Sequence, residues 1–85
     1  MAFVIQNTDW ILQDVDGTTY IGYHHAVKKN VFMIATDNGS GATRYHIGNQ
    51  NYVEQWINRA SLEYDYYQRF INDVGRLVNL DGKVI

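Results

Sequence analysis

The stretch ILQDVDGTTYIGY, residues 11–23, decides the fold class. Short runs that contain apolar residues lie on either side of Asp16 and Gly17. Such runs are typical of β-strands, and an Asp-Gly pair between two of them is typical of a two-residue hairpin loop. The sequence therefore predicts an antiparallel hairpin that joins residues 10–15 to residues 18–23.

Other short runs in the first half of the chain also predict strands. They are FVI at 3–5, VFMIAT at 31–36 and ATRYHI at 42–47, in addition to WIL at 10–12 within the first strand of the hairpin. VFMIAT has no polar alternation, so we expect it to lie inside the sheet with both faces covered. The glycine-containing segment 37–41 predicts a hairpin between VFMIAT and ATRYHI. We find no internal repeat and no linker-like segment.

The spacing of apolar residues changes after residue 49. From Val53 to Val78 they recur at steps of four and three residues, which is typical of one apolar stripe on an α-helix. Asn51, followed by Glu54 three residues later, resembles a capping box. The sequence therefore predicts a helix start at this point.

The predicted fold class is α+β in a single domain, residues 1–85. An antiparallel sheet of four to five strands, residues 2–47, is predicted to pack against a C-terminal helical segment at about 51–78. An unbroken helix of that length would span about 42 Å, so we expect either one long, kinked helix or two consecutive helices. Asp81-Gly82 leaves two alternatives open, a hairpin and the exit of the helix.

Composition excludes several classes of protein. The 85 residues include no cysteine, so neither a disulfide framework nor a thiolate metal site can form. Seven Lys and Arg against nine Asp and Glu give a net charge of −2, and the only adjacent basic pair is Lys28 and Lys29, so we expect no binding to nucleic acid. No membrane span or secretory signal is visible, which predicts no membrane contact and a cytoplasmic location.

The acidic pair of the opening stretch resembles a catalytic motif. ILQDVDGTTY is similar to the first motif of the haloacid dehalogenase phosphotransferases, in which a strand ends in Asp-x-Asp-Gly-Thr. The resemblance implies a magnesium-dependent phosphohydrolase with Asp14 as nucleophile and Asp16 as general acid/base. That family's parallel sheet needs helical crossovers that the first half of this chain lacks. We therefore favour the hairpin and keep a minimal phosphohydrolase as a second alternative.

We predict no catalytic residue, no metal site and no cofactor. His24 and His25 are neighbours on a predicted strand, so their side chains point to opposite faces and cannot easily share a metal ion. Polar surface or partner contact is the more common role for such histidines.

Tyrosine is the unusual component of the sequence. EYDYYQRF, residues 63–70, places its tyrosines too close together on a helix for all of them to face one core. Exposed tyrosine is enriched at protein interfaces. We therefore expect a small, non-enzymatic binding protein that acts by protein-protein contact. The predicted partner-binding residues are Tyr52, Trp56, Tyr64, Tyr66, Tyr67 and Arg69.

The partner and the ligand alternatives follow from the same composition. Cysteine-free chains rich in Asn and Tyr resemble small proteins carried by phages and other mobile elements, and this resemblance implies an inhibitor of a host defence protein. The alternative hypothesis is a protein that sequesters a nucleotide or signal molecule. Its predicted ligand-binding residues are Lys28, Arg44, Tyr45 and His46. A small domain with surplus apolar residues also favours a homodimer or another homo-oligomer.

Overall fold

The computed structural model describes residues 9–17, 19–37 and 42–85. In these ranges four strands form one antiparallel sheet, and each strand pairs with its neighbour in the chain. The strands are β1 (Trp10–Asp16), β2 (Tyr20–His25), β3 (Phe32–Asp37) and β4 (Thr43–Gly48). The predicted strand at 3–5 and most of the predicted turn at 37–41 lie outside the described residues.

The hairpin predicted from the opening stretch is confirmed. The last pair of the β1-β2 ladder is Asp16 with Tyr20, and the Thr19 N–H donates to the Asp16 carbonyl at 3.1 Å. The loop is therefore 17–19, three residues rather than the predicted two, because both aspartates of the opening stretch belong to β1. A bulge between Leu12 and Asp14 interrupts the regular pairing of this strand.

β3 lies between β2 and β4, as predicted for VFMIAT. Its side chains from Phe32 to Ala35 are at most 1% exposed, which confirms that both faces of this strand are covered. Met33 faces a core cluster that includes Phe70 from the C-terminal part of the chain. Phe32 points the other way and contacts Tyr52. We call these two sides of the sheet the core face and the helix face.

The predicted long C-terminal helix is wrong. Residues 51–78 contain one short helix, α1 (Tyr52–Ile57), and two 3-10 turns, Arg59–Ser61 and Tyr67–Phe70. The fold is therefore a four-stranded antiparallel sheet covered by short helical and extended segments, and neither one long helix nor two consecutive helices pack on it.

Local chemistry explains why α1 starts where predicted and why it stops early. The Asn51 side chain accepts the N–H groups of Val53 and Glu54, which is the predicted cap. Beyond Ile57 the chain is rich in Asn, Ser, Asp, Gly, Tyr and Val, which are weak helix formers. The apolar stripe is not a core face, since Val53, Ile57 and Val74 are 63%, 69% and 71% exposed.

Two turns of the same geometry end the chain. In each, an Asn side-chain oxygen accepts the backbone N–H groups two and four residues later. The asparagines are Asn72 and Asn79, and the glycines three residues after them, Gly75 and Gly82, have φ of 80° and 82°. Such positive φ values favour glycine. Segment 71–85 thus contains a seven-residue repeat, contrary to our expectation of none.

Backbone bridges connect the arms of these turns. Ile71 pairs with Leu77, and Val78 pairs with Val84, so the chain folds back twice in succession. Of the two alternatives for Asp81-Gly82, the structure shows the hairpin and not the exit of a helix. Its loop covers 79–83 and is longer than two residues. The Asn side chains stabilise these turns by offering the backbone hydrogen bonds that compete with a helix.

Candidate interaction surface

The helix α1 lies on the helix face, above β1 and β2. Gly22 of β2 permits this approach, because a Cβ atom there would overlap the Tyr52 hydroxyl and lie 3.2 Å from the Trp56 ring. The Tyr52 hydroxyl donates to Asp14 Oδ2 at 2.7 Å. Burial, together with this bond to a carboxylate, raises the pKa of Tyr52. The phenol therefore keeps its proton and stays a donor to β1.

Arg59 fixes the C-terminal end of α1 on the same strand. Its guanidinium donates to Asp16 Oδ2 from Nε at 3.2 Å and from Nη2 at 2.8 Å. The guanidinium also lies 4.6 Å from the centre of the Trp56 ring and 5.6 Å from that of Tyr20. The Arg59-Asp16 pair is partly exposed, so we expect it to contribute only about 0.2–1 kcal/mol by itself.

Both aspartates of the phosphotransferase-like motif thus bind side chains from beyond β4. Asp14 accepts from Tyr52, and Asp16 accepts from Arg59. In place of the parallel sheet that the resemblance implies, β1 pairs antiparallel with β2. In this arrangement the acidic pair braces the hairpin against α1.

The edge strand β1 presents apolar side chains on both faces. Ile11, Leu12 and Val15 are 45%, 57% and 57% exposed. The ladder places Ile11 opposite His24 on the helix face and Leu12 and Val15 on the core face. Within the described ranges, no residue outside β2 forms a backbone bridge with β1. This part of the sheet therefore combines an open ladder with exposed aliphatic surface.

The outer side of α1 continues this surface. Val53 and Ile57 are four residues apart, so they lie on one side of the helix, and both are exposed. Val53 lines a cleft together with Gln13 and His24, and His24 is the cross-strand partner of Ile11. We call the combined surface the apolar edge. Its residues are Ile11, Leu12, Val15, Val53 and Ile57.

The structure does not gather the predicted partner-binding residues on one surface. Tyr52, Trp56 and Tyr64 all lie on the helix face and are half-buried. The Tyr64 hydroxyl donates to the Arg59 carbonyl at 2.7 Å, and burial raises the pKa of Tyr64. These aromatic side chains pack α1 and the segment after it against the sheet, and they offer little of their area to a partner.

The other three predicted residues are separated from these. Tyr67 lies on the core face, where its hydroxyl accepts a hydrogen bond from Trp10 Nε1 at 3.3 Å. Tyr66 is 51% exposed, with the Arg44 guanidinium 5.4 Å from its ring centre. Arg69 is exposed and lies 3.6 Å from Asp65. Tyr66 and Arg69 are therefore the two predicted residues that remain accessible.

The residues predicted for a nucleotide do not converge either. Lys28 lines a cleft of about 390 Å³ beside the β2-β3 turn, whereas Arg44 lines one of about 240 Å³ near the opposite end of the sheet. Tyr45 faces the core, where burial raises its pKa. His46 lies on the helix face and donates from Nδ1 to the Glu63 carbonyl at 2.8 Å. These four residues therefore do not form one ligand site.

The two neighbouring histidines point to opposite faces, as predicted. His24 Nδ1 lies 3.1 Å from Gln13 Oε1 on the helix face, and the His25 ring packs edge-on against Trp10 on the core face. His25 Nδ1 also accepts the N–H groups of Val27 and Lys28, at 3.1 and 2.9 Å. This contact needs a neutral ring nitrogen, and burial lowers the pKa of His25.

Neither a metal cluster nor a membrane span is found in the described part of the chain. No group of three His, Asp or Glu side chains there is placed to hold a metal ion. Among the same residues, no helix has the length and apolar character needed to cross a bilayer.

No protein-family model matches the chain, and no curated protein or solved structure matches it. What the protein binds must therefore be inferred from its own surface. The apolar edge, which the sequence did not single out, is the candidate site, since it joins exposed aliphatic side chains on both faces of the sheet to a strand that pairs only with β2 among the described residues.

Proposed function

We propose that the protein is a small, non-enzymatic binding protein that attaches to a partner protein by strand addition at the outer edge of β1. The observation that carries this proposal is the exposed apolar side chains on both faces of that strand, Ile11 on one and Leu12 with Val15 on the other. The N–H and C=O groups of a sheet edge pair with an extended segment, and adjacent apolar side chains add burial.

The usual protections of an edge strand are weak in β1. Charged side chains commonly guard such an edge. Here the carboxylates of Asp14 and Asp16 bind Tyr52 and Arg59 on the helix face. The bulge between Leu12 and Asp14 does interrupt the regular ladder. We therefore expect the partner to add a short extended segment on one side of the bulge.

The strand alone is too small for a stable complex. Covering the exposed half of an aliphatic side chain contributes about 1 kcal/mol at roughly 25 cal/mol per Å², whereas association costs several kcal/mol in lost freedom of motion. The partner must therefore also cover Val53 and Ile57 of α1, which are the most exposed aliphatic side chains of the apolar edge.

The class of partner that we propose is a host defence protein. In this proposal the protein is an inhibitor encoded by a phage or another mobile element and acts in the cytoplasm. The support is compositional, namely the absence of cysteine and the small net charge of −2. Without its partner, two copies would pair through their β1 edges as a homodimer, which buries the same aliphatic side chains.

A charge-insertion experiment tests the proposal. The double variant Leu12→Lys and Val15→Lys places two ammonium groups along β1, where they oppose strand addition. The matched control is Val74→Lys, which changes a side chain that is 71% exposed and lies outside β1. We expect the double variant to lose both homodimer in native mass spectrometry and the partner captured from host lysate, while the control keeps them. Retention of a captured partner by the double variant would contradict strand addition.

The phosphohydrolase alternative has its own measurement. We expect the protein to hydrolyse no p-nitrophenyl phosphate in the presence of magnesium, because Asp14 is engaged by Tyr52. Hydrolysis that disappears in Asp14→Asn and persists in Asp37→Asn would overturn the non-enzymatic assignment.

A further inference from the structure

A cleft of about 670 Å³ opens at the end of the sheet away from the β1-β2 loop. Residues from four parts of the fold meet there. Gln13 comes from the bulge of β1, His24 from the end of β2, Lys29 and Asn30 from the β2-β3 turn, and 49–51 from the link between β4 and α1. A volume of this size falls within the range of about 300–1,000 Å³ that is typical of small-molecule sites.

The side chains that line this cleft supply hydrogen-bond donors and positive charge. Those with an amide group are Gln13, Asn30, Asn49, Gln50 and Asn51. His24, His25, Lys29 and Tyr52 are the other polar lining residues; the Tyr52 hydroxyl already donates to Asp14, and the His25 ring packs against Trp10 on the core face. None of the lining residues is Asp or Glu. In a chain with nine acidic and seven basic residues, a concave surface lined by one ammonium group and by no carboxylate favours an anion over a cation.

Existing hydrogen bonds fix part of the cleft and leave the rest available. Asn51 Oδ1 accepts the two N–H groups at the start of α1, which leaves its amide nitrogen as a donor. The contact of Gln13 Oε1 with His24 Nδ1 orients that ring. Lys29 forms no salt bridge with any residue of the described ranges. The strongest donor of the cleft therefore has no anionic partner within those ranges.

We propose that this cleft binds a small organic anion whose carboxylate or phosphate group contacts Lys29 and the neighbouring amide groups. Val53, on the wall of the cleft, supplies apolar contact for the body of the ligand. The site differs from the dispersed residues that the sequence predicted for a nucleotide. It also goes beyond strand addition at β1, because the anionic group would contact Lys29 and amide side chains that lie outside the apolar edge, although the two sites share Val53.

Neighbouring lysines provide a matched control. Lys29 lines this cleft, whereas Lys28 lines the smaller cleft that Asp9 and Arg76 also border. Both are exposed residues of the same turn, so replacing either by Gln removes one charge at little cost in stability. Lys29→Gln should therefore weaken binding in the larger cleft, whereas Lys28→Gln should leave the affinity nearly unchanged.

The experiment is a titration of the ¹⁵N-labelled protein followed by backbone amide shifts. The probes are adenosine monophosphate and succinate, with adenosine and succinamide as neutral analogues. We expect saturable shifts at the amides of Lys29, Asn30 and Asn49 with at least one anion and none with its neutral analogue. Because a charge-assisted contact is lost, Lys29→Gln should weaken binding about tenfold or more, and Lys28→Gln less than about twofold.

Each outcome of the titration decides the proposal. Binding of the phosphate alone or the carboxylate alone supports it and identifies the anionic group. No saturable shift with either anion up to roughly 10 mM overturns it, as do equal binding of the neutral analogues and equal losses in the two lysine variants. A charge-guarded β1 edge should leave these shifts unchanged, which separates this site from the apolar edge.

Discussion

At the β4 edge of the sheet, Tyr45 and Asp65 exchange backbone hydrogen bonds of 2.7 and 2.9 Å, and the Glu63 carbonyl accepts from His46. At the β1 edge, aliphatic side chains are exposed and no described residue outside β2 forms a bridge. The segment after α1 thus covers one edge while the other stays open within the described ranges. Within those ranges β1 is thus the uncovered edge, and it is the edge at which we propose association.

We expect the largest loss in the free energy of unfolding when the segment that pairs with β4 is no longer anchored. Phe70 is fully buried and anchors the segment after α1 in the core face. We expect Phe70→Ala to lower the free energy of unfolding by about 3–5 kcal/mol, measured by urea denaturation, because it leaves a cavity. The exposed Val74→Ala should change it by less than about 0.5 kcal/mol.

If Phe70→Ala cannot be purified folded, Phe70→Leu keeps most of the volume and should fall between these two variants. A loss below about 1 kcal/mol in Phe70→Ala would contradict the anchoring role. In the folded variants we expect the amide of Tyr45 to exchange faster with solvent than in the parent protein, because its acceptor is the carbonyl of Asp65.

A smaller effect should come from loosening the brace on β1. The Tyr52 hydroxyl donates to Asp14 in a half-buried setting. Tyr52→Phe should therefore lower the free energy of unfolding by about 1–2 kcal/mol in the same assay. Tyr66→Phe is the control, since no hydrogen bond of its hydroxyl is found among the described residues, and it should be nearly neutral.

The same two variants separate the effect of α1 on folding from its effect on association at β1. The helix α1 braces β1 from one face of the sheet without covering its ladder. Tyr52→Phe should therefore weaken folding more than it weakens homodimer formation. Equal stability of Tyr52→Phe and Tyr66→Phe would show that the brace contributes nothing measurable.

The smallest effect should be a dependence on pH at the start of β1, where Trp10 packs against His25. Burial lowers the pKa of His25 from 6.5, Lys28 lowers it further, and Asp9 opposes both. The unfolded chain therefore binds this proton more readily than the folded protein does. The contribution of neutral His25 to the free energy of unfolding is fully present above about pH 6.5, and it is lost as the pH falls toward the pKa of His25 in the folded state.

Urea denaturation at about pH 7.5 and about pH 5 measures this loss. We expect His25→Asn to reduce the difference between the two free energies of unfolding. An unchanged difference in His25→Asn would remove this histidine as the source of the pH dependence.

The strands could be predicted from sequence because their signals are local. The Asp16-Gly17 pair between two short strand-like runs and the apolar run of β3 are each a pattern of a few consecutive residues. The long helix could not be judged from apolar spacing alone, since spacing does not report burial, and Val53 and Ile57 turned out to be exposed. The weak helix formers after Ile57 were the signal that outweighed it.

The candidate sites were harder to predict for a different reason. Which edge stays open depends on the segment around Asp65 docking on β4 rather than on β1, and no local pattern specifies that choice. The cleft for which we propose an anion depends on the bulge that places Gln13 near His24. The amide residues that line it are scattered along the sequence and form no recognisable motif. The repeat around Asn72 and Asn79 was visible in the sequence and marks turns that a helix cannot contain.

The seven-residue repeat also makes the length of the C-terminus adjustable in whole units. Ile71 and Val78 occupy the same position in the two units, directly before the turn asparagine. If residues 71–77 were removed, Val78 would follow Phe70 and would form the backbone bridge in the place of Ile71. Copying the unit would add one more arm without new loop chemistry. Tandem duplication or slippage in the coding sequence would therefore lengthen or shorten this small ladder in steps of seven residues.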